Sequence, residues 1–441
     1  MTATMLSRRD KYAAAFVGSI AVLATVGGLL IVVGSQDGLQ FNTTITQIGI
    51  VALIAAGTIF AISAGIFLLL HGISHGFRYC IRHILIVRKI RSELLDAGIY
   101  LKRYLGKDEV AVLPKIQVTF DDNLMTGEVK IQRHLKEGKK LEDFDISSAL
   151  GRYIVEQSTV SLDGNYYVYD IFDAGFDRQL VFENCAEFTA ALEGLDDYTF
   201  LVDSITTIPL HHSLISGQTG SGKSFFVQEL IWQMLKKQMK YILYFCDPKQ
   251  DDISRLGNKI APERTADTPD GIIELLRSIH AHQMERRGQM KQLLAETSQA
   301  GNDFKSLNLP PIVVIFDEFL AFSQSLANYD KKTRDEVTSI LSDIVLTGRS
   351  TGVFLWIVAQ ATQASNIPTF LRDQMIFRAV MGNSDSSAYL ALESSVDIPS
   401  MKFNKIGYGV YTYSGKTKKP KIMAAPLIRN FDIFDALSGG V

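Results

Sequence analysis

The stretch Gly217-Gln218-Thr219-Gly220-Ser221-Gly222-Lys223-Ser224 constrains this chain more than any other. Its form, G-x-x-x-x-G-K-S, is that of a phosphate-binding loop. Glycines let consecutive backbone N–H groups curl around a phosphate with no side chain in the way. The flanks fit: Ser213 to Ser216 reads as a short strand and Phe225 to Trp232 as the start of a helix. A phosphate would then lie at a helix N-terminus, where partial positive charge collects. In this motif Lys223 reaches the β- and γ-phosphates, and the Ser224 hydroxyl ligates Mg²⁺. A chance glycine-rich turn is the other reading, and a second motif argues against it.

That motif is Ile312-Val313-Val314-Ile315-Phe316-Asp317-Glu318. An uninterrupted apolar run predicts a strand buried on both faces of a parallel sheet. It ends in two carboxylates, where open α/β sheets bind their ligands. Asp317 is expected to hold Mg²⁺ and Glu318 to polarise the water that attacks a γ-phosphate. The expected cofactors are therefore ATP and Mg²⁺. Further apolar runs, Tyr241 to Cys246 and Val353 to Ala359, alternate with helical segments at Gly271 to Glu296 and Thr333 to Leu346. Met375 to Met381 and Gly409 to Tyr413 read as later strands. Strands alternating with helices predict an α/β fold with a mostly parallel sheet covered on both faces.

Composition excludes several classes. The 441 residues carry a net charge of -2, so no global basicity announces nucleic acid. Three cysteines, Cys80, Cys185 and Cys246, form no C-x-x-C, which removes cysteine-metal and disulfide-framework readings. The mean hydropathy of +0.11 is high for a soluble ATPase, and its excess lies at the N-terminus. Tyr12 to Gly34 and Ile45 to Leu70 are uncharged runs, flanked by Arg8, Arg9 and Lys11 before and by Arg78, Arg82, Arg88, Lys89 and Arg91 after. Their length predicts a two-helix membrane hairpin, and the positive-inside rule puts both termini in the cytoplasm. The expected division is a membrane hairpin at 1–75, a juxtamembrane basic helix at 76–110, a small α+β adaptor domain at 111–180 and a motor ATPase domain at 181–441. In the adaptor, Lys115 to Phe120 and Gly127 to Gln132 read as strands and Phe144 to Ile154 has helical spacing. Thr159 to Leu162 and Tyr166 to Ile171 flank a hairpin turn at Asp163-Gly164-Asn165.

Taken in order, these residues resemble the FtsK/SpoIIIE family of DNA-pumping ATPases. The resemblance runs from about Lys115 to Ile428. It rests on the phosphate loop, on Asp247-Pro248-Lys249 at the end of a strand, and on Met284-Glu285-Arg286-Arg287 in a helix. It continues with Asp317-Glu318-Phe319, with Gly348-Arg349-Ser350-Thr351-Gly352, and with Gln360 at a strand end. The family's A-T-Q is altered here, so Gln363 is an alternative to Gln360. The resemblance implies a RecA-like motor acting as a homo-oligomeric ring, most readily a hexamer, with DNA contacted irrespective of sequence by pore loops. Arg255, Lys259 and Arg264, and Lys331, Lys332 and Arg334, are the candidates for those loops.

Gln360 is expected to sense the γ-phosphate, or to be a polar strand terminus. Arg349 and Arg378 are each candidates for an arginine finger from a neighbouring subunit, or for structural ion pairs. Asp247 and Lys249 either relay nucleotide state or serve as a helix cap and a solvated lysine. Chromosome pumps of the family carry more spans, often a linker, and a C-terminal winged helix. The layout here resembles compact conjugative coupling proteins, which implies a membrane-anchored translocase with relaxase proteins and type IV secretion-channel proteins as partners. The alternatives are a chromosome-segregation DNA pump, a protein-secretion ATPase and a non-motor docking receptor.

Overall fold

The computed structural model describes residues 24–29, 31, 42–70, 76–105, 108–133, 141, 144–297, 303–360, 367–383, 392, 403–415, 417 and 420–438. The chain divides into two compact units, Met1–Phe176 and Asp177–Val441.

The first unit begins with helix α1 (Asn42–Leu70), followed by α2 (Gly76–Asp96). The expectation of two membrane-crossing helices is corrected here. Among the described residues no helix is long and apolar enough to cross a membrane. The first expected span, 12–34, lies outside the described residues apart from 24–29 and 31. With the hairpin go the cell-membrane placement with two spans and the reading as a membrane-anchored conjugative coupling ATPase.

The expected basic helix is present as α2 and contributes to a core. Its residues Ile86, Ile90 and Leu94 are buried in one apolar core with Val118, Val129, Ile131 and Ile171. Arg82 donates to the Tyr153 hydroxyl at 2.7 Å and to the Leu124 carbonyl at 3.2 Å. One stripe of this helix thus packs on the sheet, while Ile81, Ile84 and Leu85 stay exposed. It stops at Gly98, whose φ of +69° provides the left-handed exit a helix end favours. Strands β1 (Leu101–Leu105) and β2 (Asp108–Val112) pair as a hairpin. Strands β3 (Ile116–Phe120), β4 (Thr126–Gln132), β5 (Tyr153–Val160) and β6 (Tyr166–Asp173) form an antiparallel sheet in the order β3-β4-β6-β5. The helix expected over Phe144 to Ile154 is absent. A single 3-10 turn, Ser147–Ala149, occupies its middle, and Gly151 at φ +68° turns the chain into β5.

The second unit opens with β7 (Val181–Phe182), α3 (Cys185–Ala191), β8 (Thr199–Leu201) and β9 (Thr207–Pro209). Its sheet is built from β10 (Ser213–Gly217), β11 (Ile242–Cys246), β12 (Thr265–Ala266), β13 (Ile312–Asp317), β14 (Val353–Gln360), β15 (Phe377–Met381), β16 (Tyr408–Tyr413) and β17 (Lys421–Ala424). The order is β12-β11-β13-β14-β10-β15-β16-β17. The first six strands run parallel, and β16 and β17 extend the edge antiparallel. This is a mixed α/β fold with a largely parallel sheet, consistent with a RecA-like core.

Period-two packing explains the uninterrupted apolar runs. Ile215, Val313, Ile315, Trp356 and Val358 face one core with helix α4 (Lys223–Lys236). Their neighbours Leu214, Val314, Phe316, Leu355 and Ile357 face the other, against α6 (Pro269–Thr297) and α8 (Lys331–Thr351). The helix between β10 and β11 is α4, α5 (Asp252–Ile260) follows β11, and α7 (Phe319–Ser325) follows β13.

Candidate functional site

Strand β10 ends at Gly217, and α4 begins at Lys223. Between them Gly220 and Gly222 have φ of +81° and +93°, where a side chain would be strained. A Cβ on Gly217 would come within 2.7 Å of Ser221 Oγ and 2.9 Å of Met381 Cβ. A Cβ on Gly222 would come within 3.0 Å of the Gly407 nitrogen. The buried Ser221 Oγ has no hydrogen-bond partner among the described residues. The loop is thus a cradle with unspent donors at a helix N-terminus, and it fits a phosphate chain. It opens on a cavity of about 490 Å³ lined by Gly217, Gln218, Thr219, Gly220, Gly222, Lys223 and Ser224 together with Asp317, Glu318 and Gln360.

Sheet register brings these groups together. Gly217 on β10 pairs with Gln360 on β14, and Asp317 on β13 pairs with Val358, two residues before Gln360. Burial pushes the Asp317 carboxyl up to about 6, although the Lys223 ammonium opposes that shift. Such a carboxylate, with the Ser224 hydroxyl on the facing helix start, has the donor chemistry that Mg²⁺ requires. Asp317 Oδ1 also accepts the Glu318 N–H at 2.9 Å. Glu318 is 8% exposed and sits at φ +49°, ψ +42°, in the left-handed region. Its Oε1 receives the Gln360 Nε2–H at 3.3 Å and lies 3.1 Å from Lys249 Nζ.

Asp247 and Lys249 divide the two roles considered for them. Asp247 is fully buried and accepts the backbone N–H groups of Lys249 at 3.1 Å, Asp251 at 2.8 Å and Ser254 at 3.1 Å. It shapes the loop and the start of α5. Lys249 is not simply solvated, because its ammonium lies on Glu318. Its spacing after the β11 strand marked it as a loop residue, but nothing in the sequence named its partner.

Arg349 and Arg378 do not join the cavity. Arg349 is exposed near the end of α8, by the amino edge of the sheet. Arg378 is half-buried in β15 and donates to the carbonyls of Met375 at 2.9 Å and Leu392 at 3.0 Å. Gln363 lies outside the described residues. Among the basic candidates, Arg255 is 5.0 Å from the Phe434 ring centre and pairs with Asp252 at 3.3 Å. Lys259 bonds the Phe434 carbonyl and the Ser438 hydroxyl, and Arg264 pairs with Glu263 at 3.0 Å. Lys331, Lys332 and Arg334 are exposed at the start of α8.

The model of the family described as FtsK/SpoIIIE matches residues 193–364. The FtsK domain-containing protein YdcQ of Bacillus subtilis (strain 168) is 30% identical over 200 residues, which is 45% of this chain and 40% of that protein. The chain therefore spans less than half the length of that relative. Two solved structures are similar in outline. The pCW3 conjugation coupling protein TcpA, in monomer form with ATPγS, gives a TM-score of 0.46 at 17% identity over 81% of this chain and 99% of that one. EssC (ATPases 2 and 3) from Geobacillus thermodenitrificans gives 0.41 at 15% identity over 60% of this chain and 50% of that one. Residues 193–364 of this chain thus match the FtsK/SpoIIIE family, and the stretch that matches holds the phosphate loop, Lys249, Asp317, Glu318 and Gln360.

Proposed function

We propose that this chain is an ATP-driven DNA pump of the FtsK/SpoIIIE type that works as a homo-oligomeric ring. The observation that supports this most is the grip on Glu318, beside Lys223 and Asp317 at the mouth of the phosphate cradle. A docking receptor needs a nucleotide site at most. A second carboxylate, oriented by its own hydrogen bonds, belongs to hydrolysis. ATP, when bound, supplies the γ-phosphoryl group that passes to water. The 217–224 loop and Lys223 hold the phosphates, and Ser224 and Asp317 hold the accompanying Mg²⁺. Glu318 takes up the proton of the attacking water, and Gln360 steadies that carboxylate. In the ring, Arg349 or Arg378 serves the neighbour's site. The exposed Lys331, Lys332 and Arg334 meet the DNA backbone without reading its sequence.

The test measures ATP turnover by the purified chain with and without duplex DNA, and displacement of a third strand from that duplex. DNA should raise turnover and ATP should drive displacement, both falling steeply with salt. Turnover indifferent to DNA but raised by an unfolded polypeptide would replace this reading with protein transport.

A further inference from the structure

We propose that Lys249 is a positioning residue for Glu318, orienting the carboxylate for its work on water. The inference rests on the reading of Glu318 given above. Its evidence is the direction of two contacts. Lys249 Nζ at 3.1 Å and Gln360 Nε2 at 3.3 Å both reach Oε1 of Glu318. Two donors on one oxygen fix the plane of a carboxylate and leave Oε2 as the acceptor that faces the cavity. The Lys249 contact is charge-assisted and is the stronger of the two. The Glu318 side chain is 10% exposed, and a carboxylate so shielded requires a counter-charge or several donors.

Lys249 is itself held in place. Its backbone N–H is bonded to Asp247 Oδ1, the next residues are pinned through Asp251 and Ser254, and Gln250 takes a φ of +61°. Strands β11 and β13 are direct neighbours, with Cys246 opposite Phe316. The loop after β11 and the carboxylates after β13 therefore leave the sheet side by side. Asp247 builds the loop, and the loop delivers Lys249 to Glu318. A lysine stem at 39% exposure is otherwise free to sample many rotamers, so this preset backbone lowers the cost of the contact.

The first experiment needs no nucleotide. Competitive acetylation of the folded chain, read by mass spectrometry, reports the reactivity of each lysine amine. Lys249 should be acetylated several-fold faster in Glu318→Gln than in the parent, with Lys331 and Lys332 unchanged as internal standards. The second is kinetic. Lys249→Met keeps the stem and removes the charge, and it should lower kcat about tenfold to a hundredfold with the KM for ATP within about twofold. Lys249→Arg should recover part of that loss, and Lys249→Met should add nothing to Glu318→Gln. Equal acetylation of Lys249 in parent and Glu318→Gln overturns the proposal, whether or not Lys249→Met folds. Parental kcat in Lys249→Met beside an inactive Glu318→Gln also overturns it, and leaves the role of Glu318 standing. Parental kcat in Glu318→Gln removes both.

Discussion

The two edges of the eight-stranded sheet use buried polar groups in different ways. At the amino edge they tie helices and loops to the strands, although His212 Nε2 and Gln283 Oε1 keep no hydrogen-bond partner among the described residues. Arg286 donates to the carbonyls of Pro310 at 2.9 Å and Thr351 at 3.0 Å, just before β13 and β14 begin. His212 Nδ1 accepts the Leu355 N–H at 2.9 Å, and Trp356 Nε1 donates to the His211 carbonyl at 2.8 Å. Gln283 reaches Thr347 Oγ1 at 2.9 Å. At the carboxyl edge the polar groups line a cavity: Ser221 Oγ has no partner among the described residues, and Asp317 is held up near 6 by burial. The contrast separates two kinds of motif residue. Arg286 and the glycines Gly348 and Gly352 join helix to strand. A Cβ on Gly348 would lie 2.0 Å from the Val353 carbonyl, and Gly352 caps α8 at φ +75°. The phosphate loop and the Asp317-Glu318 pair line the cavity, and Lys249 reaches Glu318.

Substitutions at the two edges should therefore fail differently. The largest effect is expected from Lys223→Ala, which should lower ATP turnover a hundredfold to a thousandfold, by about 3–4 kcal/mol, while the melting temperature moves by a few degrees at most. Steady-state hydrolysis beside calorimetry checks this, and near-normal turnover would break the contrast from the carboxyl side. Arg286→Met should do the reverse. Two backbone carbonyls lose a charged donor, so urea unfolding should show a loss of roughly 2–4 kcal/mol, with kcat per folded molecule nearly unchanged. A collapsed kcat at parental stability would break the contrast from the amino side.

Acid sharpens the same comparison. Burial, and to a lesser degree His211, pushes His212 down to about 3. Folded His212 therefore stays neutral while the unfolded chain takes up a proton below about 6.5. The stability from this site is complete above that pH and is lost as pH falls from about 6.5 towards 3. His212→Gln should flatten the slope of stability against pH in that window. Chemical unfolding at half-unit steps reads it, and an unchanged slope would assign acid sensitivity elsewhere.

The smallest effect on the isolated chain belongs to Arg349→Ala. The residue is exposed, so stability should change by less than about 0.5 kcal/mol. Its test is mixing with Lys223→Ala subunits. If Arg349 acts in trans, mixed rings regain interfaces with both groups intact and hydrolyse faster than either variant alone. If mixed rings form without that gain, and Arg378→Ala behaves alike, neither arginine is an essential finger.

How legible all this was depended on whether the determinant was local. The phosphate loop could be read because its glycines and lysine answer to their own backbone. Strands β11, β13 and β14 could be read because burial on both faces leaves no polar interruption. Phe144 to Ile154 misled because Ile146, Ala149 and Leu150 are buried at helix-like spacing in an irregular segment. The basic helix α2 could be read as a helix from its spacing, but not that Ile86, Ile90 and Leu94 would enter a core with β3, β4 and β6. Lys249 could be picked out beside Asp247, but its contact with Glu318 could not be read. Its partner is set by the adjacency of β11 and β13, which is a property of strand order rather than of neighbours in the chain.

The left-handed backbone at Glu318 has a consequence for protein engineering. A glutamate there carries a conformational cost of order 1 kcal/mol or more, whereas asparagine adopts such a φ several times more readily. Glu318→Asn relieves that cost and also removes a shielded charge. A library of this chain sorted on melting temperature alone would accumulate that change and drift toward molecules that last longer and hydrolyse nothing. Any search for a hardier form of this chain has to count turnovers as well as degrees.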